Sequence, residues 1–147
     1  MNALLTAIVF WLSASFGLPA NYDHPRIEFV PAAEITAVFF RGLAGQRRGA
    51  ETDPADQRQI VSVYDDTRRT IYLRDDWTGR TPAELSVLIH EMVHHLQAVG
   101  KLRFACPQER EQLAYQAQQR WLGLFGRDLE GEFEIDPFTL FVLTRCL

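Results

Sequence analysis

Lysine is nearly absent from this chain: Lys101 is the only one, and 15 Lys and Arg against 19 Asp and Glu leave a formal net charge of -4. No basic stripe of the kind that tracks phosphates is present, which argues against a nucleic-acid partner. No internal repeat is visible, and the 147 residues read as enough chain for one domain with a real core. The hydrophobic share of 47% and the aromatic share of 12% exclude a disordered chain. Cysteine is limited to Cys106 and Cys146, and neither has a close partner in sequence, which disfavours a thiolate metal site. Histidine is limited to four residues, and three of them, His90, His94 and His95, fall in one short segment.

Charge is missing altogether from Met1 to Ala20. Ala3 to Phe16 is an apolar run, and Gly17-Leu18-Pro19-Ala20 supplies small residues and a break before the polar Asn21-Tyr22-Asp23. The segment 1–20 is expected to be a secretory signal, with cleavage after Ala20, leaving a single domain over 21–147. A membrane anchor is the second reading, although the run is short against the roughly 20 residues of a spanning helix. A buried N-terminal helix is the third. An exported chain with an even pair of cysteines is expected to form one disulfide, Cys106–Cys146, tying the C-terminal tail to the start of a helix at Pro107. Two independent buried thiols are the alternative.

The residues that carry chemistry are His90-Glu91-Met92-Val93-His94. On a helix, positions i and i+4 lie one above the other, so two imidazoles at that spacing can grip one metal ion. Glu91, a third of a turn round, can reach a water on the open side of that metal. This is the arrangement of zinc peptidases. The alternative is a pair of imidazoles that merely sit on a helix surface.

Local pattern places the elements. Arg26 to Val30 reads as a short strand. Pro31 to Gly42 reads as a helix with Ile35, Val38 and Phe39 on one side, and Ala44 to Gln59 as an exposed loop. Ile60 to Tyr64 and Thr70 to Leu73 are β-rich and flank Asp65-Asp66-Thr67-Arg68-Arg69, a hairpin signal. Trp77-Thr78-Gly79-Arg80 reads as a turn. Thr81-Pro82-Ala83-Glu84 combines a cap, proline at the first helical position and Glu at the third, so the motif helix should run from Thr81 to Val99 and stop at Gly100. A second helix should run from Pro107 to Phe125. The acidic stretch Asp128 to Asp136 follows, and Pro137 to Leu143 reads as a last short helix.

Helical wheels sharpen the site. Leu85, Leu88, Ile89, Met92, Leu96 and Val99 form one apolar stripe. His90 and His94 lie opposite, among Ala83, Val87, Gln97 and Ala98, on a side that lacks the charge of a surface helix. A helix of this kind is expected to be covered on both sides, with the His pair facing a cleft. A zinc site of this type needs a third protein ligand. The extension H-E-x-x-H-x-x-G-x-x-H fails, because Gln97 and Gly100 occupy the required positions. Glu109 and Glu111 are the nearest downstream carboxylates. On the second helix Glu109 falls with Gln112, Gln116 and Arg120 on the polar face. Glu111 falls beside Tyr115, Gln118 and Leu122, close to the edge of the apolar stripe of Ala114, Ala117, Trp121, Leu124 and Phe125. Glu111 is therefore the expected third ligand, the alternative being a carboxylate placed at a helix start by the macrodipole.

With H-E-x-x-H followed by Glu111 on the next long helix, the chain resembles the gluzincin zinc metallopeptidases, and among them the minimal single-domain members. Glu111-Gln112-Leu113-Ala114-Tyr115 matches the Glu and the Ala of the family's Glu-x-x-Ala-Asp segment, with Tyr115 where the family has Asp. The resemblance covers about residues 70–124. It implies an α+β, zincin-like domain in which a small mixed sheet or hairpin packs on the zinc-binding helix and the glutamate helix after it. It implies Zn²⁺ held by His90, His94 and Glu111, with Glu91 taking the proton of the attacking water and passing it to the leaving amine. Tyr115 could accept from a ligand imidazole in place of the family's Asp. Tyr115, Tyr72 and the arginines are candidates for the oxyanion donor. The strand Thr70 to Leu73 would be the edge that pairs with extended substrate.

Two functions follow. The first is a zinc metallopeptidase acting on a peptide or protein substrate, secreted, periplasmic or otherwise extracytoplasmic, with a membrane contact only if segment 1–20 stays uncleaved. The second is a zinc-stabilised binding or inhibitory domain without turnover. Glu91 argues for the first, since a purely structural site has no use for a general base beside its ligands.

Overall fold

The structure is a computed structural model and describes residues 1–44 and 62–147. The expected loop beyond Ala44 and the first residues of the expected strand from Ile60 lie outside the described residues. Among the described residues the protein is α+β, with six helices and a three-stranded sheet. They are α1 (Asn2–Phe16), β1 (Arg26–Val30), α2 (Ala32–Ala44), β2 (Ser62–Asp65), β3 (Thr70–Arg74), α3 (Pro82–Val99), α4 (Pro107–Gly123), α5 (Leu129–Phe133) and α6 (Pro137–Thr144). They divide into two compact units, Pro25–Thr78 and Met1–His24 with Gly79–Leu147.

In the unit Pro25–Thr78 the strand order is β1-β3-β2. The hairpin forms as expected: β2 and β3 are antiparallel, with Val63 opposite Tyr72 and Asp65 opposite Thr70. Asp65 Oδ1 accepts from the Arg68 amide at 3.0 Å inside the turn, and Arg69 closes it with φ 48°. β1 then pairs in parallel with the other side of β3, Ile27 opposite Ile71 and Phe29 opposite Leu73. This corrects the expectation for Thr70 to Leu73. The strand is central, its backbone groups are engaged on both sides, and it has no free edge to offer a substrate. Successive side chains of β3 alternate between faces. Tyr72 joins Val30, Ile35 and Val38 in one apolar cluster, with Val63 against it, so α2 covers that face of the sheet. Tyr72 is thereby a core residue. Ile71 and Leu73, on the opposite face, are fully buried as well.

The other unit is helical. Its centre is α3, in which Val87, Leu88, Ile89, Met92, Val93, Leu96 and Val99 are buried along with Ser86, Glu91, His94, His95 and Gln97. A helix buried on this many sides matches its lack of a charged face. Thr81 Oγ1 accepts from the Glu84 amide at 3.1 Å, and Pro82 opens the helix. The return bond of the box falls one residue early: Glu84 Oε2 accepts from the Arg80 amide at 3.0 Å. At the other end Gly100 keeps right-handed dihedrals, and Lys101 takes the left-handed turn at φ 53°. Glycine is needed at 100 for space, because a Cβ there would stand 2.9 Å from the Leu96 carbonyl oxygen.

α4 packs along α3, and Trp121 Nε1 donates across to the Pro82 carbonyl at 3.1 Å. The acidic stretch contains a short helix that its composition does not announce: α5, capped by Asp128, which accepts from the Gly131 amide. α6 is capped in the same way by Asp136, which accepts from the Thr139 amide. Cys106 and Cys146 are joined, with their Cα atoms 5.8 Å apart, and fix the tail beyond α6 to the start of α4. The apolar segment at the N-terminus is α1. Its Leu5, Ile8, Val9 and Leu12 are buried, and its Trp11 meets Trp121 edge to face at 5.7 Å. Among the described residues no helix is long and apolar enough to cross a membrane.

Candidate metal centre

Three side chains converge between α3 and α4. His90 and His94 stand one turn apart on α3, and Glu111 comes from the second turn of α4. His90 Nε2 lies 3.0 Å from Glu111 Oε2, His94 Nε2 lies 3.1 Å from the same oxygen, and the two Nε2 atoms are 3.2 Å apart. The donors make a nearly equilateral triangle. Ligand atoms of a tetrahedral zinc with bonds of about 2.0–2.1 Å are separated by about 3.3 Å, so the triangle needs to open by only a few tenths of an ångström. Two imidazole nitrogens and one carboxylate oxygen are also the donor types that zinc takes in catalytic sites. The residues present fit that ion.

The cluster is graded in exposure. The side chains of His94 and His90 are 5% and 12% exposed, whereas that of Glu111 is 30% exposed, so the triangle opens outwards on the α4 side. Burial works against charge on both partners, and their mutual attraction outweighs it. Burial lowers the proton affinity of His90, but the hydrogen bond and charge of Glu111 bring it above the ordinary imidazole value. Burial raises Glu111, but the charge of His94 and the hydrogen bonds from both imidazoles hold its carboxyl well below the usual range.

Glu91 is buried next to His90 in the chain, and its negative charge raises the proton affinity of both His90 and Tyr115. Its carboxylate therefore lies in the field of the centre without being one of the three converging donors. Tyr115 presents its ring edge-on to His90, with centroids 4.6 Å apart at 75°. Burial, then the charges of Glu111 and Glu91, push its phenol up, so the hydroxyl stays protonated at neutral pH. Glu109 takes no part. It is exposed and accepts from the Ala105 amide ahead of α4. His95 is buried in the core with Nε2 against the Asp23 carbonyl at 2.8 Å, and His24 pairs with Thr6.

Two glutamines touch the ligands, and Arg110 Nε stands 3.4 Å from His94 Nδ1. His90 Nδ1 lies 3.0 Å from Gln118 Oε1, and His94 Nδ1 lies 3.0 Å from Gln97 Oε1. The H-E-x-x-H pattern does not single them out. The wheels do carry the signal: Gln97 shares the His side of α3, and Gln118 lies two turns from Glu111 on α4. With both second nitrogens taken by glutamines, neither imidazole needs the Tyr115 hydroxyl as its acceptor.

The family model described as Domain of unknown function (DUF6647) matches residues 1–146. The chain belongs to that family. No curated protein and no solved structure matches it. The family match runs through α1, the motif helix and the glutamate helix alike.

Proposed function

We propose that this member of the family is a zinc-dependent metallopeptidase of gluzincin type, hydrolysing peptide bonds of a peptide or protein substrate. The observation that carries the proposal is the triangle of His90 Nε2, His94 Nε2 and Glu111 Oε2, all within 3.2 Å of one another, beside a buried Glu91. Zinc held there would supply a Lewis acid for the scissile carbonyl and bring the pKa of a water down towards about 7. Glu91 is the general base: it accepts the proton of the attacking water and returns it to the leaving amine. Tyr115, whose ring meets His90 edge-on and whose phenol stays protonated, is the candidate donor to the developing oxyanion. The order of hairpin, motif helix and glutamate helix supports a zincin-like arrangement.

The location proposed with this activity is an oxidising compartment outside the cytoplasm, which the Cys106–Cys146 bond supports. The burial of Leu5, Ile8, Val9 and Leu12 supports a form in which α1 stays with the chain.

A second reading has its own observation. The three donors come from α3 and α4 and would cross-link them, which is what a structural zinc does in a binding or inhibitory domain. A broad peptide library incubated with the zinc-loaded chain, with and without a chelator, separates the two. Chelator-sensitive cleavage supports the peptidase. Absence of any cleavage in a chain that has bound its zinc overturns it in favour of the second reading.

A further inference from the structure

We infer that Gln97 and Gln118 are positioning residues of the metal centre: their amide oxygens hold the imidazoles of His94 and His90 with Nδ1 protonated and both Nε2 atoms turned towards Glu111. This rests on the zinc site proposed above and names what sets its ligands.

The chain of hydrogen bonds fixes each amide. Ser86 Oγ donates to the Ala83 carbonyl at 2.7 Å, which leaves its lone pairs to accept from Gln118 Nε2 at 3.2 Å. With its NH₂ committed to Ser86, Gln118 presents Oε1 to His90. Gln97 Nε2 donates to the Arg110 carbonyl at 3.0 Å, and a backbone carbonyl can only accept. Gln97 therefore presents Oε1 to His94. An amide oxygen has no proton to give, so each Nδ1 must carry the hydrogen. Arg110 Nε lies 3.4 Å from His94 Nδ1, a contact that would require Nδ1 to accept. It is longer than the 3.0 Å bond from Gln97, whose orientation is independently fixed, and it does not compete.

The consequence lies at the other end of each ring. With Nδ1 hydrogen-bonded to an amide oxygen, Nε2 is the nitrogen each ring turns to Glu111 Oε2, at 3.0 and 3.1 Å. In the metal-free chain a hydrogen between Nε2 and Oε2 keeps these atoms from repelling one another, and a metal ion that displaces it meets two Nε2 lone pairs and the carboxylate oxygen. The glutamines thus set which nitrogen of each ring faces the metal. They also tie it to the scaffold, Gln118 through Ser86 and the first turn of α3, Gln97 through the backbone of α4. Both are buried, so water cannot replace the lost amide cheaply. Because the partners are neutral amides, the centre keeps a net charge of +1 with zinc, two neutral imidazoles and one carboxylate.

The test is zinc affinity by competition with a chromophoric chelator, and the visible spectrum of the Co²⁺ form. It compares wild type with Gln97→Leu, Gln118→Leu and Gln118→Glu, with His90→Ala as the reference for loss of the site. Each leucine variant should bind zinc about 10–100-fold more weakly and show an altered Co²⁺ spectrum. Gln118→Glu restores an acceptor for the Nδ1 hydrogen of His90, and the Ser86 hydroxyl can turn to donate to its second oxygen, so it should bind at least as tightly as wild type. Leucine variants that match wild type in affinity and spectrum overturn the inference while leaving the zinc site intact. Gln118→Glu binding about 10-fold or more below wild type also overturns it, and decides the matter if a leucine variant does not fold. A wild-type chain that binds no zinc, or binds it undisturbed by His90→Ala, overturns the site and the inference together.

Discussion

His90 and Glu111 are 21 residues apart in the chain, and their Nε2 and Oε2 atoms are 3.0 Å apart in space. The contact joins the middle of one helix to the start of the next. It depends on α4 packing against the side of α3 that carries Ser86, His90, His94 and Gln97, whose side chains meet Gln118, Glu111 and the Arg110 carbonyl of α4. The cap at Thr81 and the prolines at 82 and 107 fix where each helix begins, and so which residues face inwards.

The general base can be separated from the ligands. Glu91→Gln keeps the shape of the side chain but cannot take a proton from water. Zinc content and melting temperature should stay near wild type, while peptide hydrolysis falls by about 10²–10⁴-fold. Cleavage that survives the substitution unchanged would give Glu91 another role.

Through the imidazole range, pH should act oppositely on the metal-free and zinc-loaded chains. In the metal-free chain the lowered carboxyl of Glu111 contributes stability above its ordinary value of 4.5, lost as pH falls through its folded value. The raised imidazole of His90 contributes below its ordinary value of 6.5, lost as pH rises through its folded value. Metal-free stability from this pair should therefore be greatest between those two ordinary values. Zinc binding displaces the proton, so the stabilisation by zinc should grow as pH rises through the imidazole range. Thermal melts with chelator and with excess zinc, from about pH 4 to about pH 9, read both trends. A zinc stabilisation that shrinks as pH rises through that range would contradict imidazole ligation.

How much of this could be read in the sequence depends on the range of the interaction. The limits of α3 follow from Thr81, Pro82 and Glu84, which act within one turn. The choice of Glu111 over Glu109 follows from a helical wheel, because burial of one face of α4 decides it. The centrality of β3 does not follow. The alternation of Thr70 to Leu73 marks a strand, but its parallel pairing with β1 joins residues more than forty positions apart, and no local pattern specifies that register. The glutamines are intermediate: each is on the right helix face, but its role depends on an amide whose orientation is set by Ser86 or by a carbonyl of the other helix. The short helix α5 escapes notice because a capped five-residue turn leaves almost no periodicity.

The disulfide should be a measurable part of stability. Cys106 and Cys146, 40 positions apart, should resist alkylation until reduced. Reduction should cost about 2–4 kcal/mol, chiefly by freeing the unfolded chain. Free labelling of both thiols in protein recovered from an oxidising compartment would remove the bond and weaken the proposed location.

Leu12 tests whether α1 belongs to the working protein. Its side chain is fully buried, so Leu12→Ala should lower the stability of the purified chain by about 2–5 kcal/mol in denaturant unfolding. Intact mass identifies the N-terminus of the same sample. A mature form that begins after Ala20 and unfolds like wild type would show that the helix is discarded.

The metal itself gives the most direct test. Zinc bound per chain should be measured on purified wild type, His94→Ala, Glu111→Ala and Glu109→Ala after dialysis against a limiting chelator. Wild type and Glu109→Ala should hold about one zinc each, while His94→Ala and Glu111→Ala should lose it, because only Glu111 shares its oxygen with both imidazoles. Loss of zinc in Glu109→Ala with retention in Glu111→Ala, or a wild-type chain that holds none, would contradict the proposed centre.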